Sequence, residues 1–150
     1  MEKRLTIAEL HALWDAKNKQ VRHARPRHIE HDIQVECVNW FRWRFPEYDP
    51  FFWAIPNGGY RSKKTAADMK AEGQKAGVPD LQLAFPSKGY HGLFIEMKKS
   101  RIGKRGQLVD KGHTSGYQEA MIENLRKVGY RVEVCYSSDQ FKRIITEYLL

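Results

Sequence analysis

The chain has 150 residues, 41% of them hydrophobic and 29% charged, which suits one packed domain and excludes a disordered tail. Lys and Arg total 26 against 18 Asp and Glu, and the resulting charge of +8 suits a polyanionic partner, nucleic acid ahead of a membrane surface, although a generic basic protein carries the same balance. No apolar run reaches ~18 residues and the first segment lacks a signal-peptide core, so we expect a cytoplasmic protein without a membrane partner.

In chain order, residues 5–20 can form a short amphipathic helix, followed by the basic stretch "KNKQVRHARPRH". We read residues 1–27 as an N-terminal helix and basic arm, and 28–150 as the main domain. "HIEHDIQVECVNWFRWRF" predicts a helix, because Ile29, Ile33, Cys37, Trp40 and Phe41 recur at three/four spacing, and Pro46 ends it. A short strand is expected at 51–55, closed by a Pro-Asn-Gly-Gly turn. The basic stretch 60–77 has a helical turn near 65–72, and strands follow near 80–85 and 92–98. "KSRIGKRGQLVDKGHTSG" reads as a long basic loop. "YQEAMIENLRKVGY" is a helix ended by Gly129, "RVEVCY" a strand, and "SSDQFKRIITEYLL" a closing helix with Ser137 and Gln140 in capping-box spacing.

The core order is therefore αβββαβα. It predicts an α/β fold with a mixed central sheet flanked by helices, the last strand joining through a parallel crossover. Cys37 and Cys135 fall in apolar patterns and read as buried free thiols. His28 and His31 stand three apart, but no further Cys or His completes a zinc spacing.

The charged residues near the central strands are harder to place. In "GLFIEMKK", Leu93, Ile95 and Met97 share one face, while Phe94, Glu96 and Lys98 share the other. Asp80 follows Gly77 and Pro79 at the entrance of the preceding strand. If the two strands form a hairpin, Asp80 approaches Glu96. Two neighbouring carboxylates repel, and a hard divalent cation such as Mg²⁺ resolves the repulsion. An adjacent ammonium can serve a water or a phosphate there. The competing reading is a solvent-facing Glu–Lys pair, the ordinary meaning of a lone E-x-K.

Two helices offer further polar groups. Helical phase puts Glu30 on the stripe of Ile33, Cys37 and Phe41, with Asp32 and Glu36 directed elsewhere. Glu30 is either a half-exposed first-turn residue or a third acidic group of the site. Gln118 lies beside the stripe of Met121, Ile122 and Leu125. It is either a first-turn glutamine at a helix end or a partner for the lysine, a water or a phosphate.

Taken together, Pro79-Asp80, Glu96-Met97-Lys98 and Gln118 in the following helix resemble the VRR-NUC domain of the PD-(D/E)XK nuclease superfamily, in its stand-alone phage or bacterial type. "IEHDIQ", "AIPNGGYRS" and "KAEGQKAGVPD" resemble its preceding segments, and the resemblance runs over about residues 28–137. It implies a restriction-endonuclease-like core and metal-dependent DNA cleavage. By that resemblance Asp80 and Glu96 bind Mg²⁺ or Mn²⁺, with the Met97 carbonyl as a further ligand and Glu30 supporting directly or through water. Lys98 serves the attacking water and Gln118 completes the site. Arg61, Lys63, Lys64, Lys99, Arg101, Lys104 and Arg105 are candidate contacts to the DNA backbone. The resemblance also implies a homodimer acting on duplex, branched or junction DNA. The rival expectation is a non-catalytic nucleic-acid-binding module on the same fold.

Overall fold

The computed structural model describes residues 29–57, 63–102 and 108–150, of which Ile29, Glu30, Lys63, Lys64, Arg101, Ile102 and 108–111 are described by backbone alone. The N-terminal arm lies outside the described residues. The described chain runs α1 (Ile29–Arg44), a 3-10 turn (Pro46–Phe51), β1 (Phe52–Ala54), α2 (Lys63–Ala71), β2 (Leu81–Leu83) and β3 (Leu93–Met97). It continues β4 (Ser100–Ile102), β5 (Leu108–Lys111), α3 (Gly116–Lys127), β6 (Arg131–Cys135) and α4 (Ser138–Leu149).

Four strands form a mixed sheet in the order β1-β2-β3-β6. β1, β2 and β3 are antiparallel neighbours, while β6 runs parallel to β3. The parallel pairing follows from the connection. A chain that leaves β3, folds into α3 and returns to the sheet arrives in the direction in which it left.

The two faces of this sheet are covered differently. On one, Leu81, Leu83, Leu93, Ile95, Met97 and Cys135 are buried under α1 and α4, which contribute Cys37, Phe41, Phe141, Ile144, Ile145 and Tyr148. On the other, Phe94 and Val132 meet Ile122 of α3, with Ile55, Leu125, Tyr130 and Val134 partly buried around them. The alternation expected for 93–98 holds: the odd residues enter the larger core and Phe94 the smaller one. β3 is buried along its whole length. Both cysteines are buried and unpaired, and burial pushes both thiols above their ordinary value.

Much of the aromatic run from Trp40 to Trp53 is used inside the molecule. Phe41 and Phe52 stack at 4.1 Å between ring centres, Phe45 is buried beside them, and Trp40 meets Phe141 edge-on. Phe51 and Trp53, next to and on edge strand β1, stay 42% and 44% exposed.

Three local expectations change. The turn near 65–72 is a nine-residue helix, α2. The stretch read as one long basic loop contains an antiparallel ribbon, with β4 paired to β5 through Ser100–Lys111 and Arg101–Asp110. Its strands are three and four residues long, too short for alternation to show in the sequence. At the start of α4, Ser137 Oγ accepts from the Gln140 N–H at 3.2 Å, but the Gln140 side chain accepts from Tyr136 N–H instead of closing a box on Ser137.

Candidate active site

Asp80, Glu96, Lys98 and Gln118 meet on the α3 side of the sheet. The register explains why. Leu81 pairs with Ile95, so Asp80 continues the ladder opposite Glu96. The Asp80 carbonyl accepts the Ile55 N–H at 2.7 Å, which extends the β1–β2 ladder by one step. The Asp80 carboxylate turns across β3, and its Oδ2 accepts the Met97 N–H at 2.8 Å.

Glu96 is the one buried charged residue among the described residues, at 2% exposure. A charge placed there needs partners. Its Oε1 meets Lys98 Nζ at 3.0 Å and also accepts from Gln118 Nε2. Lys98 in turn donates to Gln118 Oε1 at 3.0 Å. The three side chains close a ring of contacts. Lys98, one strand period beyond Glu96, is 14% exposed and so stands between the core and the surface.

The ring is anchored by the first turn of α3. Ser115 caps this helix: its Oγ accepts Gln118 N–H at 3.3 Å, and Gln118 Oε1 accepts Ser115 N–H at 2.9 Å. Gln118 Oε1 therefore serves a backbone amide and the Lys98 ammonium at once. Both readings of Gln118 are met by one conformation, since it caps the helix and contacts the lysine. Ser115 was missed in the sequence, although "SGYQ" carries the capping-box spacing.

A glycine brings the Asp80 segment close to that turn. Gly77 has φ +83°, and a Cβ there would lie 2.6 Å from the Tyr117 carbonyl carbon and 2.9 Å from the Gln118 nitrogen. No larger residue fits between the loop before Asp80 and the start of α3. Asn57 secures the loop from the other side. Its Nδ2 donates to the carbonyls of Val78 and Pro79, the latter at 3.2 Å. In sequence, Asn57 passes as an ordinary turn residue of "PNGG".

Burial raises the Asp80 carboxyl above its ordinary value, while the Met97 N–H, the Lys98 charge and an Asn57 hydrogen bond act against the rise. Two carboxylates and one ammonium leave an excess of negative charge in a partly desolvated site. All the side-chain donors are hard oxygens. That combination suits a small divalent cation of the Mg²⁺ or Mn²⁺ class. Among the described residues no three His, Cys, Asp or Glu side chains gather around one point.

The remaining candidates divide. Glu30 is in the first turn of α1, with its side chain outside the described residues. Its alternative, Glu36, lies 4.0 Å from Lys142 of α4, and Asp32 is exposed. Cys37 and Phe41 of the same helix are buried. Lys99 is exposed just past the site. Arg61, Lys104 and Arg105, and the side chains of Lys63, Lys64 and Arg101, lie outside the described residues. No helix among the described residues is long and apolar enough to cross a membrane.

Comparison with known proteins agrees with this architecture. A solved structure described as a VRR_NUC domain protein superposes with a TM-score of 0.65 at 27% identity, covering 83% of this chain and 91% of that one. No curated protein matches. The VRR-NUC domain family matches residues 15–139, starting inside the segment that the sequence reading sets apart as an arm. With most of its length matched, and with Asp80, Glu96, Lys98 and Gln118 gathered at one end of a mixed sheet, the chain belongs to the VRR-NUC domain family, a nuclease-like module of the PD-(D/E)XK superfamily.

Proposed function

We propose that the protein is a Mg²⁺- or Mn²⁺-dependent endonuclease that hydrolyses DNA phosphodiesters, selecting branched or junction DNA by its structure. The observation that carries this reading is the ring of Glu96, Lys98 and Gln118 beside Asp80. A module that only bound nucleic acid would gain nothing from two carboxylates near phosphates, because they repel the ligand.

In this reading Asp80 and Glu96 would hold the metal, helped by the Met97 carbonyl and by Glu30, directly or through water. Such a cation supplies Lewis-acid polarisation and lowers the cost of deprotonating water. The chain's own residues do the rest. The Met97 N–H keeps the Asp80 carboxylate turned toward β3. Gln118 holds the Lys98 ammonium through Oε1, so that its charge is fixed before substrate arrives. A preorganised ammonium stabilises negative charge growing on a phosphate without reorganisation at the moment of reaction. Lys99 and the basic segments around Lys63, Lys64, Arg101, Lys104 and Arg105, with Arg61, position the phosphate backbone and carry little sequence information.

One chain supplies one candidate site, and paired cuts need two, which a two-fold dimer provides. Exposed Phe51 and Trp53 at the sheet edge are apolar surface available to that contact.

The test is a panel of labelled duplex, nicked, flap and four-way DNA incubated with Mg²⁺ or Mn²⁺ and with excess chelator. Cleavage that needs the metal and favours branched forms supports the reading. Full cleavage in chelator, or metal-independent binding with no cleavage of any substrate, overturns it. A solution mass of 17.6 kDa with and without DNA would overturn the dimer.

A further inference from the structure

The segment that carries Asp80 has a second neighbour. Toward β1, the residues after that strand and the end of α2 border an open cavity of about 400 Å³. Ile55, Met69 and Val78 give it apolar walls, and Asn57, Glu72, Gln74 and Lys75 add polar groups, the two charged ones exposed. The walls are held by hydrogen bonds. Gln74 Nε2 donates to the Pro56 carbonyl at 3.2 Å, and Asn57 bonds the Val78 and Pro79 carbonyls. The size lies within the range of about 300–1,000 Å³ usual for small-ligand sites.

Position says more than size. Val78 is two residues before Asp80, and Pro79 between them is buried. An occupant would therefore contact Val78, on the segment that carries Asp80.

We propose that the cavity receives one unpaired nucleobase of the DNA strand that lies across Asp80 and Glu96. The inference rests on the nuclease reading and names what selects the substrate. A nucleobase has flat apolar faces and a hydrogen-bonding edge, which matches walls of Ile55, Met69 and Val78 with Asn57 and Gln74 beside them. It is tethered to a phosphate, for which exposed Lys75 is a cationic partner beside the equally exposed Glu72, so the apolar walls rather than net charge carry the match. A base paired in a duplex cannot enter. Extrusion costs least where a base is mismatched or already single-stranded, as at a branch point. Structure selectivity then follows from a nucleotide that must leave the stack beside the scissile phosphate.

The experiment measures binding of the full chain in chelator, where no cleavage is needed. One probe is a DNA hairpin with a single unpaired 2-aminopurine; the second carries an abasic residue at that place; the third is fully paired. The base-bearing probe should bind about tenfold more tightly than the abasic one, the size expected from burying about 55 Å² of base against apolar side chains, with a change in 2-aminopurine fluorescence. Met69→Trp fills the cavity, and Val78→Leu narrows it without a change of charge. Each should lower the preference, Met69→Trp abolishing it, and leave affinity for paired DNA unchanged. If Met69→Trp does not fold, Val78→Leu decides alone. Equal affinity for base and abasic probes, or a preference that survives the substitutions, overturns the proposal. Absence of cleavage in metal would sink the nuclease reading instead, and this readout would stand apart from it.

Discussion

The two faces of the central sheet divide the work of the molecule. The α1–α4 face is apolar throughout, from Phe41 and Phe52 to Ile145 and Tyr148. The α3 face has a smaller apolar patch around Phe94, Ile122 and Val132, and beside it holds Asp80, Glu96, Lys98 and Gln118. Burial of apolar area stabilises at about 25 cal/mol per Å². Burial of a charge costs free energy that a partner only partly offsets. Polar groups on both faces would forfeit much of the apolar burial that the α1–α4 face supplies here. The lesson is that one side supplies stability and the other is free to hold groups that would be liabilities in a core.

Substitutions on each side should separate activity from stability. The largest expected effect is on turnover. Lys98→Ala and Asp80→Asn should each lower the cleavage rate about 10²–10⁴-fold, the range for removing a positioned catalytic group, while DNA binding in chelator stays near wild type. Single-turnover cleavage assays with parallel binding measurements check this. A Lys98→Ala protein that cleaves at nearly the wild-type rate would remove Lys98 from the chemistry.

Next comes the opposite face. Phe41→Ala should cost about 3–5 kcal/mol, because it empties a fully buried site against Phe45 and Phe52. Urea unfolding gives the number. At temperatures where the variant is folded, its cleavage rate should stay close to wild type, and a large fall would show that the two faces are not separable.

A third prediction concerns the sign of stability on the α3 face. The folded-state carboxyl of Asp80 is raised by burial. Its contribution to stability is therefore present below the unfolded value near 3.8 and is lost as pH rises through the folded value. At neutral pH, without metal, the ionised group is a cost. Asp80→Asn should raise the melting temperature at pH 7 in chelator, and the gain should shrink toward pH 3. A lower melting temperature at pH 7 would place Asp80 among the stabilising residues.

Smaller in effect is Gly77→Ala. The added Cβ meets the backbone of Tyr117 and Gln118, and the positive φ is strained for alanine. Destabilisation of about 1–3 kcal/mol is expected, with a larger loss of cleavage than Phe41→Ala causes, because the clash falls on the capping turn that holds Gln118. Equal effects on both quantities would make Gly77 a folding residue alone. The least visible prediction is chemical: Cys37, fully buried and with its thiol pushed up, should not react with thiol reagents until the protein unfolds.

Sequence and structure agree where a rule is local. The period-two pattern of 93–97 separates Glu96 from Ile95 and Met97, and the three/four pattern of 33–41 orients α1. They part where a short segment borrows its conformation from a neighbour. β4 and β5 exist as strands because they pair with each other, and a three-residue strand has no periodicity to read. Gln118 could not be resolved in sequence between helix cap and site residue, because a capping box and a reach toward the sheet begin with the same first-turn position.

The sequence by itself determined the α/β order, the crossover that makes β6 parallel, the faces of β3 and the residue types of the site. These follow from chain direction, alternation and helical pitch, which act between near neighbours. Tertiary structure alone decided that Asp80 stands opposite Glu96, that Lys98 and Gln118 close on one Glu96 oxygen, and that Asn57 and Gly77 hold the Asp80 segment in place. Apart from the Lys98–Glu96 pair, two residues apart on one strand, those contacts join residues 16 to 41 positions apart. Register and close packing set such distances, and no pattern confined to one segment can encode them.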